Sequence, residues 1–161
     1  MTTNENQPSN YTYDYPRPRV ATDIIVFAQV NDKRHILLIR RGNEPFRGDW
    51  ALPGGFVEED ESLKACANRE LEEETGLSGV VLEQLHTYGD PGRDPRGWSL
   101  SIAYWGTVDG APPNVEGADD ADEAVWHSLD SLPSLAFDHD DMIARAVDQR
   151  ENPNAEEQNQ N

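Results

Sequence analysis

Residues 55–77 of the chain read GFVEEDESLKACANRELEEETGL, and their pattern predicts a helix over residues 61–75. Asp60 can cap the start of this helix, and Gly76 can end it in a left-handed conformation that costs glycine little. Helical spacing places six residues on one face, namely Leu63, Cys66, Ala67, Glu70, Glu73 and Glu74. This face is therefore apolar at the start of the helix and acidic at its end.

The three glutamates of that face are spaced at i, i+3 and i+4, so their like charges repel one another. Two arrangements relieve the repulsion: the carboxylates bind a cation, or this end of the helix faces water. The glycine-rich turn at residues 52–56 favours the cation, because backbone can approach a metal ion or a phosphate closely there. Carboxylates combined with substrate phosphates are the usual ligands of Mg²⁺. Zinc is not indicated, since Cys66 has no partner nearby and the four histidines are scattered.

The stretch resembles the Nudix box, the signature of a family of hydrolases, at each of the nine positions that the signature requires. Those positions are occupied by Gly55, Glu61, Arg69, Glu70, Leu71, Glu73, Glu74, Gly76 and Leu77. The resemblance extends over about residues 20–150 and implies the family's fold, an α/β/α sandwich around a mixed β-sheet. It also implies the family's reaction, hydrolysis of a nucleoside diphosphate joined to another group with Mg²⁺, or Mn²⁺ as the alternative.

The resemblance implies which residues bind the cation. Glu70 and Glu74 are the expected main ligands, and Glu73 is a further ligand or the base that activates water. The carbonyl group of Gly54 or Gly55 is expected to complete the ligand shell. Pyrophosphate hydrolysis needs charge neutralised on the non-bridging oxygens and a water positioned for attack, and carboxylates on a rigid helix can provide both.

The resemblance implies that three further residues assist the reaction. Arg69 lies four residues before Glu73 and is expected to hold that carboxylate, the alternative being an ordinary surface ion pair. Glu61 is expected to support the loop before the helix. Glu123, after the acidic loop 109–122, is a candidate base or extra metal ligand, and the alternative is a solvated run of charge.

Residues 40–58 and 88–98 resemble the branch of the family that cleaves ADP-ribose. The candidate substrate-binding residues in these two segments are Arg40, Glu58, Tyr88, Arg93 and Arg96. The arginines of the second segment can hold phosphates or ribose hydroxyls, and Tyr88 or Trp98 can stack on adenine. The alternative is a solvated loop whose aromatic residues pack into the core.

The rest of the chain is predicted to alternate between strands and a second helix. The predicted strands are residues 20–30, 36–39, 50–57, 80–88, 98–108 and 124–129, and the helix is 137–150. At the start of that helix, Phe137 is predicted as a core residue, Asp138 as the cap and His139 as structural rather than catalytic. Residues 1–19 are predicted as a flexible lead-in, 20–150 as the Nudix domain and 151–161 as a disordered tail.

The charge of the chain limits its partners. It has 31 Asp and Glu residues against 13 Lys and Arg residues, a net charge of −18, which opposes binding to nucleic acids or anionic membranes. No apolar run suggests a secretion signal or a membrane span, so the expected location is the cytoplasm. The expected partner is a small nucleotide, and a homodimer is frequent among proteins that resemble this one.

The resemblance to the ADP-ribose-cleaving branch therefore implies hydrolysis of ADP-ribose to AMP and ribose 5-phosphate. Within the same reaction, an oxidised nucleoside triphosphate or another nucleotide-sugar is the alternative substrate. A different class of function is a non-catalytic module that senses ADP-ribose, as in transcription regulators that carry an added DNA-binding domain. The negative charge and the end of the chain soon after the second helix favour the enzyme.

Overall fold

The structure, a computed structural model, describes residues 12–153. Within this range the chain forms seven β-strands and two α-helices. The strands are β1 (Arg19–Val30), β2 (Lys33–Arg41), β3 (Trp50–Ala51), β4 (Gly54–Phe56), β5 (Glu83–Tyr88), β6 (Ser99–Thr107) and β7 (Ala121–Ser128). The helices are α1 (Leu63–Thr75) and α2 (His139–Glu151). No helix in residues 12–153 is long and apolar enough to cross a membrane.

The strands form one mixed sheet, in which β3, β2, β1, β6 and β5 lie side by side in that order. β1 runs parallel to β6, and every other pair is antiparallel. β2 pairs with the second half of β1, while the short strand β4 pairs with the first half along the same edge. This division of one edge brings the glycine-rich turn at residues 52–54 directly against β1.

The central strand β1 is buried on both faces, which explains its continuous apolar run. Successive side chains of a strand point to opposite faces, so Ile24 and Val26 pack in one apolar cluster and Ile25 and Phe27 in the other. The first cluster contains α1 residues Ala67 and Leu71, and the second contains α2 residues Met142, Ile143 and Ala146. The two helices therefore cover opposite faces of the sheet, which confirms the predicted α/β/α sandwich.

The ends of α1 are only partly as predicted. Gly76 ends the helix with a φ of 73° and donates its backbone N–H to Glu72, as expected. The start differs, because Ser62 rather than Asp60 is the cap: its hydroxyl accepts a hydrogen bond from the Ala65 N–H at 3.1 Å. Asp60 instead occupies a positive-φ position in the turn before the helix.

The second helix starts at His139, two residues later than predicted, because Phe137 has a φ of 53° that a helix does not accommodate. Asp138 precedes the helix but makes no capping hydrogen bond with its side chain. Its carboxylate pairs with Arg93 instead. Asp138 therefore occupies the predicted cap position, but its carboxylate binds a partner distant in sequence instead of the helix backbone.

The second helix also extends one residue past the predicted end of the domain. Glu151, predicted as part of a disordered tail, ends α2 and lies 2.7 Å from Arg34 in an ion pair. Residues 154–161 of that tail and residues 1–11 of the predicted lead-in lie outside the described range. Three strands also start three residues away from the predicted position, since β2 begins at Lys33, β5 at Glu83 and β7 at Ala121.

Candidate active site

A cleft of about 810 Å³ opens between the acidic end of α1, the glycine-rich turn and the loop that precedes β6. Charged side chains of both signs line it. The acidic residues are Asp23, Glu44, Glu58, Glu70, Glu73, Glu74, Asp94, Asp119 and Asp120. The basic residues are Arg19, Arg41, Arg69, Arg93, Arg96 and His139. All residues of the predicted metal site, the three glutamates of α1 with Gly54 and Gly55, lie in this cleft.

Glu74 is the most deeply buried of the three α1 glutamates, with 4% of its surface exposed. Its Oε2 accepts a hydrogen bond of 2.9 Å from the backbone N–H of Gly54. Burial raises the pKa of Glu74 well above its ordinary value, and the nearby charges of Glu70, Asp120 and Asp23 add to this increase. A carboxylate in such surroundings is costly to ionise, so a bound cation would stabilise its charged form.

Glu70 lies one turn earlier on the same face and is 8% exposed. Its carboxylate rests on the backbone of Gly55, where a Cβ atom would collide with it, so a larger residue at position 55 would displace the Glu70 carboxylate. Burial raises the pKa of Glu70, although Arg69 donates a 2.7 Å hydrogen bond to it. Two desolvated carboxylates thus approach the glycine-rich turn from α1.

Arg69 links the glutamates to the loop before the helix. Its guanidinium donates hydrogen bonds to Glu61 at 2.7 and 3.0 Å, to Glu70 at 2.7 Å and to Glu73 at 3.0 Å. It also donates to the Phe56 carbonyl at 3.2 Å. The predicted Arg69–Glu73 contact is therefore present, but it is one part of a larger network that fixes β4 and α1 relative to each other.

The donors of this cluster suit a hard divalent cation. They are carboxylate and backbone oxygens, the ligands that Mg²⁺ prefers, and the two buried carboxylates have raised pKa values that a cation would lower. Among residues 12–153, no three acidic, histidine or cysteine side chains already converge on one point. Arg69 and the Gly54 N–H occupy the carboxylate oxygens instead. The residues present therefore fit a Mg²⁺ ion by their chemistry and burial.

Three predicted residues do not reach the cleft. Arg40 and Glu123 face each other across the β2–β7 pair, and their side chains form an exposed ion pair at 3.1 Å. Tyr88 lies on β5, where it packs against the apolar cluster under α2. The expectation that these residues contact substrate or metal therefore finds no support in the geometry. Trp98, named as an alternative base-stacking residue, is largely exposed.

The other predicted substrate residues do line the cleft, but two of them are already paired. Arg93 is only 7% exposed in its side chain and donates to both oxygens of Asp138, at 2.8 and 2.6 Å. Arg96 donates to the Asp94 carboxylate at 2.9 to 3.2 Å. These partners neutralise the arginines and fix the loop before β6. Glu58 is exposed at the cleft.

Arg41 is the cleft residue that the sequence analysis missed. Its Nε donates a 2.8 Å hydrogen bond to the Pro45 carbonyl, and its guanidinium lies 5.0 Å from the centre of the Phe137 ring. Burial, and then the charge of Arg96, lower the pKa of Arg41. Within residues 12–153 no carboxylate forms an ion pair with it. The two terminal amino groups therefore stay available to an anionic ligand.

Glu61 provides a pH-dependent part of the stability. The hydrogen bond from Arg69 lowers the pKa of Glu61 from 4.5 to about 2. Because the folded-state pKa is depressed, this contribution is complete above about pH 4.5 and is lost as the pH falls towards 2. We expect Glu61→Gln to lower the free energy of unfolding of the metal-free protein at pH 7, and to lose this effect near pH 2.

Urea denaturation of the wild type and the variant across this pH range measures the difference. Glu83→Gln, at an exposed position of β5, is the control and should give no pH-dependent difference. A Glu61→Gln defect of the same size at every pH would contradict the assignment.

A cleft lined by buried carboxylates beside a glycine-rich turn, in an α/β/α sandwich, has the donor chemistry that suits a divalent cation together with a phosphorylated ligand. The chain belongs to the Nudix family, since the model of the NUDIX domain matches residues 17–146.

Curated relatives include two proteins whose names refer to ADP-ribose. The ADP-ribose pyrophosphatase of Methanocaldococcus jannaschii is 45% identical over 129 residues, which cover 80% of this chain and 73% of that protein. The ADPR responsive transcriptional repressor NtrR of Acinetobacter baylyi is 39% identical over 137 residues, which cover 83% of this chain. The match covers 54% of the repressor, so this chain spans about half of that relative's length.

Among solved structures, the NUDIX domain of Shewanella oneidensis NrtR complexed with ADP ribose superposes with a TM-score of 0.80. It is 32% identical, and the match covers 88% of this chain and 94% of that domain. This likeness agrees with the fold described above.

Proposed function

We propose that the protein hydrolyses ADP-ribose to AMP and ribose 5-phosphate with a bound Mg²⁺ ion, Mn²⁺ being the alternative. The observation that carries this proposal is the pair of buried glutamates, Glu70 and Glu74, that face the glycine-rich turn in a cleft of both charge signs. The likeness to an ADP-ribose pyrophosphatase supports the choice of substrate. In the reaction, water attacks one phosphorus atom, the bridging P–O bond breaks, and two monophosphates leave.

Glu70 and Glu74 would hold the cation, with Glu73 or a carbonyl of Gly54 or Gly55 as additional ligand. The cation would neutralise charge on the non-bridging phosphate oxygens. Glu73 is the best candidate for the base that takes the proton of the attacking water. Its side chain is 46% exposed at the cleft, and Arg69 holds it at 3.0 Å, so it reaches solvent in a fixed position.

Arg41 is the proposed contact of the pyrophosphate group, because it lines the cleft and forms no ion pair with a carboxylate of residues 12–153. Arg96 and Glu58 remain proposed substrate contacts at the cleft. Arg93 is proposed to hold the loop in shape through Asp138. A homodimer and a cytoplasmic location remain predictions.

A second candidate function is the binding of ADP-ribose without turnover. The likeness to an ADPR responsive repressor favours it. The net charge of −18 opposes direct contact of this chain with DNA. The complete set of acidic residues at the cleft favours catalysis over sensing.

A panel of substrates tests both candidates. The purified protein is incubated with Mg²⁺ and ADP-ribose, NADH, a nucleotide-sugar, 8-oxo-dGTP or a dinucleoside polyphosphate, and the products are separated by chromatography. We expect ADP-ribose to have the highest kcat/KM, at least about tenfold above the others, with AMP and ribose 5-phosphate as products. The same panel of substrates incubated with excess EDTA in place of Mg²⁺ is the control and should show no turnover.

The other outcomes are equally informative. A faster reaction with 8-oxo-dGTP or another compound would leave the catalytic cluster in place and refute the substrate. Calorimetric binding of ADP-ribose with no turnover of any compound would favour the sensing module.

A further inference from the structure

We propose that His139 is a positioning residue of this active site, which holds the turn at residues 52–54 and, through it, Glu74. His139 is the first residue of α2 and is 3% exposed in the floor of the cleft. It belongs neither to α1 nor to the glycine-rich turn. Only the kinetic test of this proposal rests on the proposed function. The other two tests, amide exchange and Mn²⁺ binding, need no substrate.

The hydrogen bonds of His139 define its tautomer. The backbone N–H of Leu52 donates to Nδ1 at 3.0 Å. A backbone amide can only donate, so Nδ1 carries no proton and the ring proton is on Nε2. Nε2 lies 3.3 Å from Oδ1 of the buried Asp23, and Ser101 donates to the other oxygen of that carboxylate. Both ring nitrogens are thus occupied by buried partners, which fix the orientation of the imidazole.

The turn that His139 contacts leads directly to Glu74. Leu52 is bound by His139, the Pro53 carbonyl accepts from Ile24 N–H at 2.8 Å, and Gly54 N–H donates to Glu74 at 2.9 Å. The backbone of the turn also packs directly against β1, since a Cβ atom at Gly54 would collide with the backbone of that strand. Three successive residues are therefore held by three different elements, and His139 provides the contact from α2.

The position of this turn matters because Glu74 is buried and is stabilised there by the Gly54 N–H. If the Leu52 amide lost its acceptor, it would become a buried donor without a partner, and the turn would shift to reach water. Such a shift would move the Gly54 N–H away from Glu74. Mutating a residue that supports a metal ligand through hydrogen bonds typically changes metal affinity or activity about 10- to 100-fold. We expect an effect of roughly this size here.

Two substitutions at this position separate the role in positioning from simple packing. His139→Phe fills the volume of the ring and removes both hydrogen bonds. His139→Asn retains an acceptor near the place of Nδ1, so it should restore the bond to Leu52 while losing the one to Asp23. Ile143→Ala is the matched control, because it removes buried apolar volume one turn further along the same helix, with no polar contact to the turn.

Three measurements are made on each full-length variant. Amide hydrogen exchange of the metal-free protein reports the Leu52 and Gly54 N–H groups, and a Mn²⁺ titration followed by electron paramagnetic resonance reports cation affinity. Steady-state kinetics with the best substrate of the panel report kcat and KM separately. For His139→Phe we expect roughly tenfold faster exchange at both amides, roughly tenfold weaker Mn²⁺ binding and a kcat reduced 10- to 100-fold, with KM within about twofold.

His139→Asn should recover most of each loss, and Ile143→Ala should leave all three close to wild type while lowering Tm. Combining His139→Phe with Glu74→Gln should cost no more kcat than Glu74→Gln alone, because both act on one group. Unchanged exchange at Leu52 and Gly54 in His139→Phe, or equal effects from Ile143→Ala, would overturn the proposal. Absence of ADP-ribose turnover in the wild type would refute the substrate only, since exchange and Mn²⁺ binding still test His139.

Discussion

Glu74→Gln is expected to lower kcat by several orders of magnitude and, without divalent cations, to make the folded protein more stable. The loss of activity follows from removing a proposed cation ligand from the lining of the cleft. The fold should be retained, because glutamine has nearly the same shape and its carbonyl oxygen can still accept the hydrogen bond of the Gly54 N–H.

The gain in stability follows from the burial of the charge. The folded-state pKa of Glu74 lies well above the ordinary value of 4.5, so ionising this group disfavours the folded state. As the pH rises above about 4.5, the wild type progressively loses stability through this group, whereas the glutamine variant does not. We expect the variant to be more stable by about 1–3 kcal/mol at neutral pH, the usual cost of a buried polar group without full compensation. Below about pH 4.5 Glu74 is protonated in both the folded and the unfolded wild type, so the difference in stability between wild type and variant should disappear.

Added Mg²⁺ should reverse the order of the two proteins. A ligand that binds only the folded state stabilises it by mass action, and at a thousandfold excess over Kd this stabilisation is about 4.1 kcal/mol, which exceeds the expected difference between the two proteins. The wild type gains this stabilisation, and the variant with a lost ligand gains little. Thermal denaturation with EDTA and with Mg²⁺ therefore measures both effects in one experiment.

The matched control for this prediction is Glu72→Gln, at an exposed position of the same helix that the Nudix box leaves open. It should change neither kcat nor the response of Tm to Mg²⁺. Normal turnover in Glu74→Gln, or a variant that is less stable than the wild type in EDTA, would refute the assignment of a buried ligand.

The part of the site that lies on α1 could be predicted from the sequence because it is local. Helical spacing alone places Glu70 and Glu74 on one face, and Gly55 can approach that face since it precedes the helix by a short loop. The apolar run of β1 likewise predicts a strand that is covered on both sides. In these cases the information is contained within a few consecutive residues.

The remaining contacts depend on residues far apart in sequence. Arg93 was predicted to bind substrate, but its partner Asp138 follows 45 residues later, and no local pattern brings the two together. The cap of α1 differs from the prediction for another reason. Asp60 and Ser62 are both good capping residues, and the backbone of the turn before the helix, in which Asp60 has a positive φ, leaves Ser62 as the cap. The hydrogen bond between His139 and Leu52 likewise joins residues far apart in sequence, 87 positions, so no local pattern predicts it.

The choice between Arg40 and Arg41 shows how one residue of register alters a site. Neighbouring residues of a strand point to opposite faces, and the β2–β7 pairing is irregular between these two arginines. Arg40 consequently meets Glu123 on the outside, and Arg41 faces the cleft. Both lie in the segment that resembles the ADP-ribose branch, so sequence alone did not distinguish them.

Arg41→Ala is therefore expected to reduce kcat/KM for ADP-ribose by roughly 10- to 150-fold, and Arg40→Ala by less than about twofold. A hydrogen bond to a charged group contributes about 1.5–3 kcal/mol, which corresponds to this range. The Pro45 carbonyl and the Phe137 ring orient the Arg41 guanidinium, so its terminal amino groups are fixed in the cleft before a phosphate binds. Lysine keeps the charge but lacks the planar fork, so Arg41→Lys should recover only part of the loss.

Arg40→Ala is the matched control for Arg41→Ala, because each substitution removes one positive charge and the two residues are adjacent on β2. The long-range attraction that each arginine exerts on the anionic substrate, against the overall repulsion by a chain of net charge −18, should thus be lost similarly in both variants, and only direct contact differs. Steady-state kinetics at two ionic strengths separate these contributions, since screening by salt weakens the long-range part and affects a half-buried contact much less. Equal losses in the two variants that vanish at high salt would mean that Arg41 acts only through net charge, and the proposed contact with the pyrophosphate would then be wrong.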